Sequence, residues 1–301
     1  MSELFRTVLN ASFQGSVVIC AVMVARLALR KAPKKYICIL WMLAMLRLLM
    51  PLSLESSLSL QPEGEVVTET QWRQLQTYGQ ILPEDGTMEL PAEIEADKDS
   101  NWATVAPNIW MIGMVGMLLY SLLSYVALKF QLREAIRISD NIWESDRIRT
   151  AFVLGYFRPL IYLPYGLKPE YRELVLEHER CHLKRLDHWL KLIMFVVLSV
   201  HWFNPLAWAA YALLCTDTEF ACDELVIRDM DLGQRKLYSA ALLACGNNVQ
   251  FAVSPVGFGE KPIKKRIVAV LNYQKPTLWV KLLAIGAAVA IAVCFLTNPK
   301  V

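Results

Sequence analysis

The chain is poor in the residues that mark secreted and disulfide-stapled proteins. Among 301 residues there are only 7 cysteines and 4 histidines. No two cysteines form a CxxC, which argues against a disulfide framework and against a thiolate zinc site. None of Cys20, Cys38, Cys181, Cys215, Cys222, Cys245 and Cys294 falls within the acidic segment 55–104, and their positions fit a reducing cytosol. No stretch interleaves basic clusters with aromatics, so direct binding of nucleic acid is not expected. The first apolar run lacks a preceding positive charge and a small-residue cleavage site after it, and is therefore expected to be an uncleaved membrane helix and not a signal peptide.

What the chain does have is apolar length. Hydrophobic residues make up 55% and the mean hydropathy is +0.34, too apolar for an ordinary soluble domain. Four runs read as membrane-spanning helices: Leu4–Ala25, Ile37–Leu54, Val105–Phe130 and Leu278–Leu296. Arg26, Arg30, Lys31, Lys34 and Lys35 crowd the first connector, which is therefore expected in the cytoplasm with both chain termini outside. Residues 55–104 carry acids from Glu55 to Asp99 against only Arg73 and Lys98, and Pro62, Pro83 and Pro91 interrupt them. That segment reads as an external loop. The expected division is 1–54 for the first two helices, 55–104 for the loop and 105–130 for the third helix. A cytoplasmic section follows over 131–276, and the fourth helix over 278–296. Arg47 lies inside the second run and must face the bundle or snorkel.

One apolar stretch, 190–214, needs separate treatment. His201 and Asn204-Pro205 divide it into pieces of about 11 and 9 residues, each shorter than the ~20 needed to span. A helical hairpin, dipping into the inner leaflet or packed on the other helices, fits better than a crossing.

The chemistry concentrates in His178-Glu179-Arg180-Cys181-His182, an HExxH motif inside a helix-favouring stretch. Four residues apart, His178 and His182 project from one helical face and can grip one ion. Glu179 can turn toward water on that ion as general base. A third ligand is sought in Glu219-Phe220-Ala221-Cys222-Asp223. There Glu219 would bind the metal, and Asp223, four residues on, would accept from a ligand imidazole. This needs Glu219 on the same side of the membrane as His178, which again favours the hairpin. Asp187 is a second group that could orient a ligand. Cys181 and Cys222 read as small packing residues, and His188 and His201 as structural. Tyr238 and Arg235 are candidates, by position alone, for stabilising an oxyanion. Arg149–Pro164 reads as two short strands around a Gly155–Pro159 turn, whose exposed edge could hold an extended peptide.

These residues carry a family resemblance. Phe152–Pro164, His178–Asp187, His201–Trp208 and Glu219–Glu224, with a weaker match at Phe258–Ile267, resemble the membrane zinc metallopeptidases of the BlaR/MecR type. The resemblance implies a mainly α integral membrane protein with four transmembrane helices. A cytoplasmic α+β zincin-like metalloprotease domain would sit between helices 3 and 4. It implies Zn²⁺ on His178, His182 and Glu219, with Glu179 as base, and a cytosolic protein substrate such as a transcriptional repressor. Self-cleavage, as in sensor-type members, would fall in 247–265. No SxxK motif follows the fourth helix, so sensing by acylation is not expected within this chain. A separate sensor protein, the acidic loop, or a longer parent chain would then sense. A non-proteolytic assembly protein with structural zinc, and a processing peptidase for membrane or exported peptides, are the other readings.

Overall fold

The computed structural model describes residues 2–49, 59, 67–78, 102–246 and 263–297. Most of the acidic segment and of the 247–265 window lies outside these described residues.

The described chain is mainly helical. Its helices are α1 (Ser2–Ala28), α2 (Lys34–Leu49), α3 (Glu69–Tyr78), α4 (Trp102–Gln131), α5 (Pro169–Lys184), α6 (Asp187–Val200), α7 (Pro205–Val226), α8 (Leu232–Gly246), α9 (Ile263–Leu271) and α10 (Leu278–Leu296). Between α4 and α5 lie four strands: β1 (Ile136–Arg137), β2 (Ile142–Ser145), β3 (Phe152–Leu154) and β4 (Leu160–Pro164). Among the described residues, three helices are long and apolar enough to cross a bilayer: Ser2–Ala28, Ala103–Glu134 and Leu278–Phe295. The described part of α2 has 16 residues, about 24 Å of helix, short of a ~30 Å hydrocarbon core. Half of its residues are buried. Ile37, Leu40, Trp41, Ala44 and Met45 are buried between α1, α7 and α10. Arg47 faces inward there and donates to Gln14 Oε1 at 2.8 Å.

The stretch 190–214 forms a hairpin whose arms, α6 and α7, belong to the same core as α1, α2 and α10. Its turn carries irregular backbone deep among apolar helices, which is tolerated only where polar groups are satisfied. Asn204 caps α7, its Oδ1 accepting from Leu206 N at 2.9 Å, and Pro205 needs no donor in the first turn. Asn204 Nδ2 donates to Ser12 Oγ and Ser16 Oγ of α1, both at 2.8 Å. His201 Nε2 donates to Leu48 O of α2 at 3.1 Å. Trp110 and Trp202 each donate an indole N–H to the other segment's backbone, at Val200 O and Trp110 O, which clamps α6 to α4. Gly113 permits this approach, since a Cβ there would stand 2.3 Å from the Trp202 ring.

Apolar burial drives helix association weakly inside lipid, because lipid tails are as apolar as leucine. Specific polar contacts therefore matter more. The strongest is at Asp217 of α7, which is fully buried. Arg26 grips it with two hydrogen bonds, Nε to Oδ2 at 2.7 Å and Nη2 to Oδ1 at 2.9 Å. Trp41 Nε1 adds a third at 2.9 Å. Helices α1, α2 and α7 are tied at this point.

The sheet has the order β1-β2-β4-β3. β3 and β4 are the two strands read from sequence, paired antiparallel with Leu154 opposite Leu160. Gly155 has φ +104°, and a Cβ there would stand 2.9 Å from Arg158 O, so the turn requires glycine. β1 and β2 were not foreseen; β2 runs parallel to β4, with Ile142 opposite Ile161. Ile161 and Leu163 of β4 pack on Val175 and Leu176 of α5, which seats the HExxH helix on the sheet.

Asp217→Ala should cost about 3–5 kcal/mol, the usual effect of orphaning a buried charge partner. Thermal unfolding of the purified chain in lipid nanodiscs reads this. A melting temperature unchanged from the native chain would contradict the role given to Asp217.

Candidate metal centre

Helix α5 begins with Pro169 in its first turn and ends at a corner where Leu186 takes the left-handed conformation, φ +56°. That corner reverses the chain within two residues and brings Asp187, at the start of α6, back beside His182. His182 Nδ1 lies 2.8 Å from Asp187 Oδ2. The carboxylate accepts Nδ1–H, which leaves Nε2, facing inward, as the atom available to a metal.

His178 is oriented through a different chain of contacts. Tyr238 of α8, fully buried, donates its hydroxyl proton to Asp223 Oδ1 at 2.7 Å. Its oxygen is thereby free to accept Nδ1–H of His178, 2.9 Å away. His178 Nε2 faces the same space as His182 Nε2, at 3.1 Å. Glu219 of α7 supplies the third donor: its Oε2 lies 3.4 Å from His178 Nε2 and 3.6 Å from His182 Nε2. These three groups can hold a metal ion. Ligands about 2.0–2.2 Å from a tetrahedral zinc stand about 3.3–3.6 Å from one another, close to the spacings found here. The donor set fits.

Two cations flank Glu219. Lys191 Nζ of α6 donates to Oε1 at 3.2 Å, and Arg266 Nη1 of α9 reaches Oε2 at 3.3 Å. Arg266 also forks onto Asp223, Nε to Oδ2 at 2.8 Å and Nη2 to Oδ1 at 2.6 Å. Burial opposes charge on Glu219, but His182 and Lys191 outweigh it and hold its carboxyl well below the usual range. Burial likewise disfavours a proton on His182, yet Glu219 and Asp187 prevail and raise it to about 10. Burial opposes charge on Asp187 also, and His182 with Arg185 keeps it ionised. Arg185 Nε donates to Asp187 Oδ2 at 3.1 Å.

Glu179 is buried on α5. Burial, and after it the Glu179 carboxylate, push the thiol of Cys245 on α8 up to about 11. α5 also touches β3, which among the described residues pairs only with β4.

The family described as BlaR1 peptidase M56 matches residues 6–270. The chain belongs to that family. Among curated relatives, the regulatory protein BlaR1 of Bacillus licheniformis is 28% identical over 194 residues, which cover 55% of this chain and 32% of the relative. The methicillin resistance mecR1 protein of Staphylococcus aureus is 22% identical over 217 residues, 62% of this chain and 37% of the relative. The chain spans about a third of the length of the curated relatives it matches. Family membership and the three long apolar helices make this a membrane protein of a peptidase family.

The structure places the remaining sequence candidates around these donors, and it moves Tyr238 and Arg235 from the positions expected of them. Tyr238 stands behind the His178 ring, bound to its Nδ1, and so orients a ligand instead of facing a substrate carbonyl. Arg235 is engaged elsewhere, donating to Tyr273 O at 2.8 Å and lying over the Tyr273 ring. Cys222 sits behind His182, its Sγ 3.3 Å from Nδ1 and 3.4 Å from Asp187 Oδ2, on the far side from the three converging atoms. Asp223 meets His178 Nδ1 only at 3.4 Å, with Tyr238 as the closer partner. Lys191 and Arg266 were missed. Arg266 lies in the Lys-Lys-Arg-Ile run that carried the weaker family match, but nothing in its spacing ties it to HExxH.

A proton held on His182 up to about pH 10 adds folding stability that is complete below the ordinary histidine value and lost as pH rises through 10. A metal on Nε2 must displace it. Metal affinity should therefore rise with pH toward 10, with proton release seen by calorimetry in buffers of different ionisation enthalpy. Asp187→Asn should weaken metal binding about 10–100-fold. Binding that releases no proton, or that ignores Asn at 187, would contradict this electrostatic account.

Proposed function

We propose that the chain is a zinc endopeptidase that cuts a cytosolic protein at the inner membrane face, in response to a signal from outside. A transcriptional repressor is the substrate this reading favours, given that the similar proteins are named as a regulatory protein and a methicillin resistance protein. Under this reading His178, His182 and Glu219 hold zinc, Asp187 and the Tyr238–Asp223 pair fix the two imidazoles, and Lys191 and Arg266 fix the carboxylates. Zinc, when bound, supplies Lewis-acid polarisation of the scissile carbonyl and lowers the pKa of water. Glu179 takes the proton from the attacking water and passes it to the departing amine nitrogen. The free edge of β3, a strand that touches α5, holds the substrate extended by backbone pairing.

The observation that supports the reading is Glu179, buried on α5 directly after His178, whose Nε2 converges with His182 and Glu219; a purely structural site has no use for that carboxylate. The arrangement of ends supports the cytoplasmic placement. The last turn of α1 and the first residue of α2, which flank the basic connector, meet α7 near the centre, through Arg26 on Asp217 and through Lys34 N on Glu224 Oε2 at 2.8 Å. These contacts support a centre on the same side as the positive connector, the side expected in the cytoplasm. Both chain termini are then external.

Replacing Glu179 by Gln should lower cleavage about 10²–10⁴-fold while metal content stays unchanged. Protein termini compared across cells expressing either version would name the substrate. A repressor with a new terminus only under the native chain supports the regulatory role. Identical termini under every inducing condition, with zinc present in both proteins, would remove the protease in favour of a scaffold.

A further inference from the structure

The turn between β3 and β4 ends in an aromatic tip that neither the bundle nor the metal centre uses. Phe157 is 89% exposed, and Arg158 beside it is exposed as well. The tip is nevertheless fixed in place. Tyr156 stacks on Tyr125 of α4 with centroids 5.9 Å apart. Tyr156 and Phe157 both meet Trp189 of α6, at 5.5 and 5.3 Å. Two lipid-facing surfaces lead up to this cluster. On α4, Leu119, Leu122, Leu123 and Val126 are exposed, and the apolar window of that span buries nothing. On α6, Ile193 and Val196 are 50% and 40% exposed, four and seven residues after Trp189 and so on its face. Tyr125 stands four residues, about 6 Å, before Lys129, where basic residues begin. Membrane proteins place aromatic rings and snorkelling cations at this depth.

We infer that the Gly155–Arg158 turn is an interfacial anchor, with Phe157 seated among the lipid chains on the bilayer face where α4 ends. Tyr156 and Trp189 lie at headgroup level, and Arg158 reaches lipid phosphate. Lipid is the occupant because the tip continues the lipid-facing surfaces of α4 and α6 without a break. The anchor fixes β3, whose last residue Leu154 adjoins the turn, at a set height on the membrane. Taken with the peptidase reading, a substrate strand must approach along the bilayer surface; the anchor itself needs no enzymatic activity.

The test uses the full chain in phosphatidylcholine nanodiscs with photoreactive benzoylphenylalanine replacing Phe157 or, separately, Tyr165. Tyr165 is 71% exposed just beyond the other end of β4. Illumination should yield lipid-mass adducts at 157 about tenfold above those at 165, the contrast between an interfacial and an aqueous position. Equal yields, no lipid adduct at 157, or adducts between two chains at 157 would each overturn the anchor.

Discussion

The architecture depends on α7 facing two ways. Asp217 points into the bundle, where Arg26 and Trp41 hold it. Glu219, two residues and about 200° on, points at the HExxH helix. Asp223, one turn beyond Glu219, meets Tyr238 and Arg266. Fixing Asp217 therefore fixes the rotation and height of the helix that delivers both carboxylates. A slip of one residue would swing Glu219 away by about 100°. The membrane bundle acts as the rigid mount of the centre.

Around the three converging donors the buried charges are shared among partners. Asp187 is shared by His182 and Arg185, and Glu219 by two imidazoles and two cations. Arg266 links Glu219 and Asp223, and the chain from Tyr238 to His178 transmits that link to the opposite imidazole edge. Such networks are costly when broken and specific when whole. Here the result is three donor atoms aimed at one point with both imidazole tautomers set.

Much of this was readable from residues, for physical reasons. HExxH and ExxxD are local: helical spacing alone puts their side chains on one face. The β3–β4 turn was legible because Gly155 and Pro159 punctuate it, and the break at Asn204-Pro205 because capping chemistry is local too. Strands β1 and β2 were not, being two and four residues long with β2 paired to β4 across an intervening strand. Arg266, Lys191 and the true role of Tyr238 escaped because they enter from separate helices through tertiary packing. Three of the four spans read from the sequence are helices of spanning length, whereas the described part of α2 has 16 residues.

The most direct test of the central claim is X-ray absorption at the zinc edge on the purified, zinc-loaded chain. The account predicts two imidazole nitrogens and carboxylate oxygen at about 2.0–2.2 Å, and no sulfur. A sulfur shell near about 2.3 Å would place Cys181 or Cys222 on the metal and contradict it.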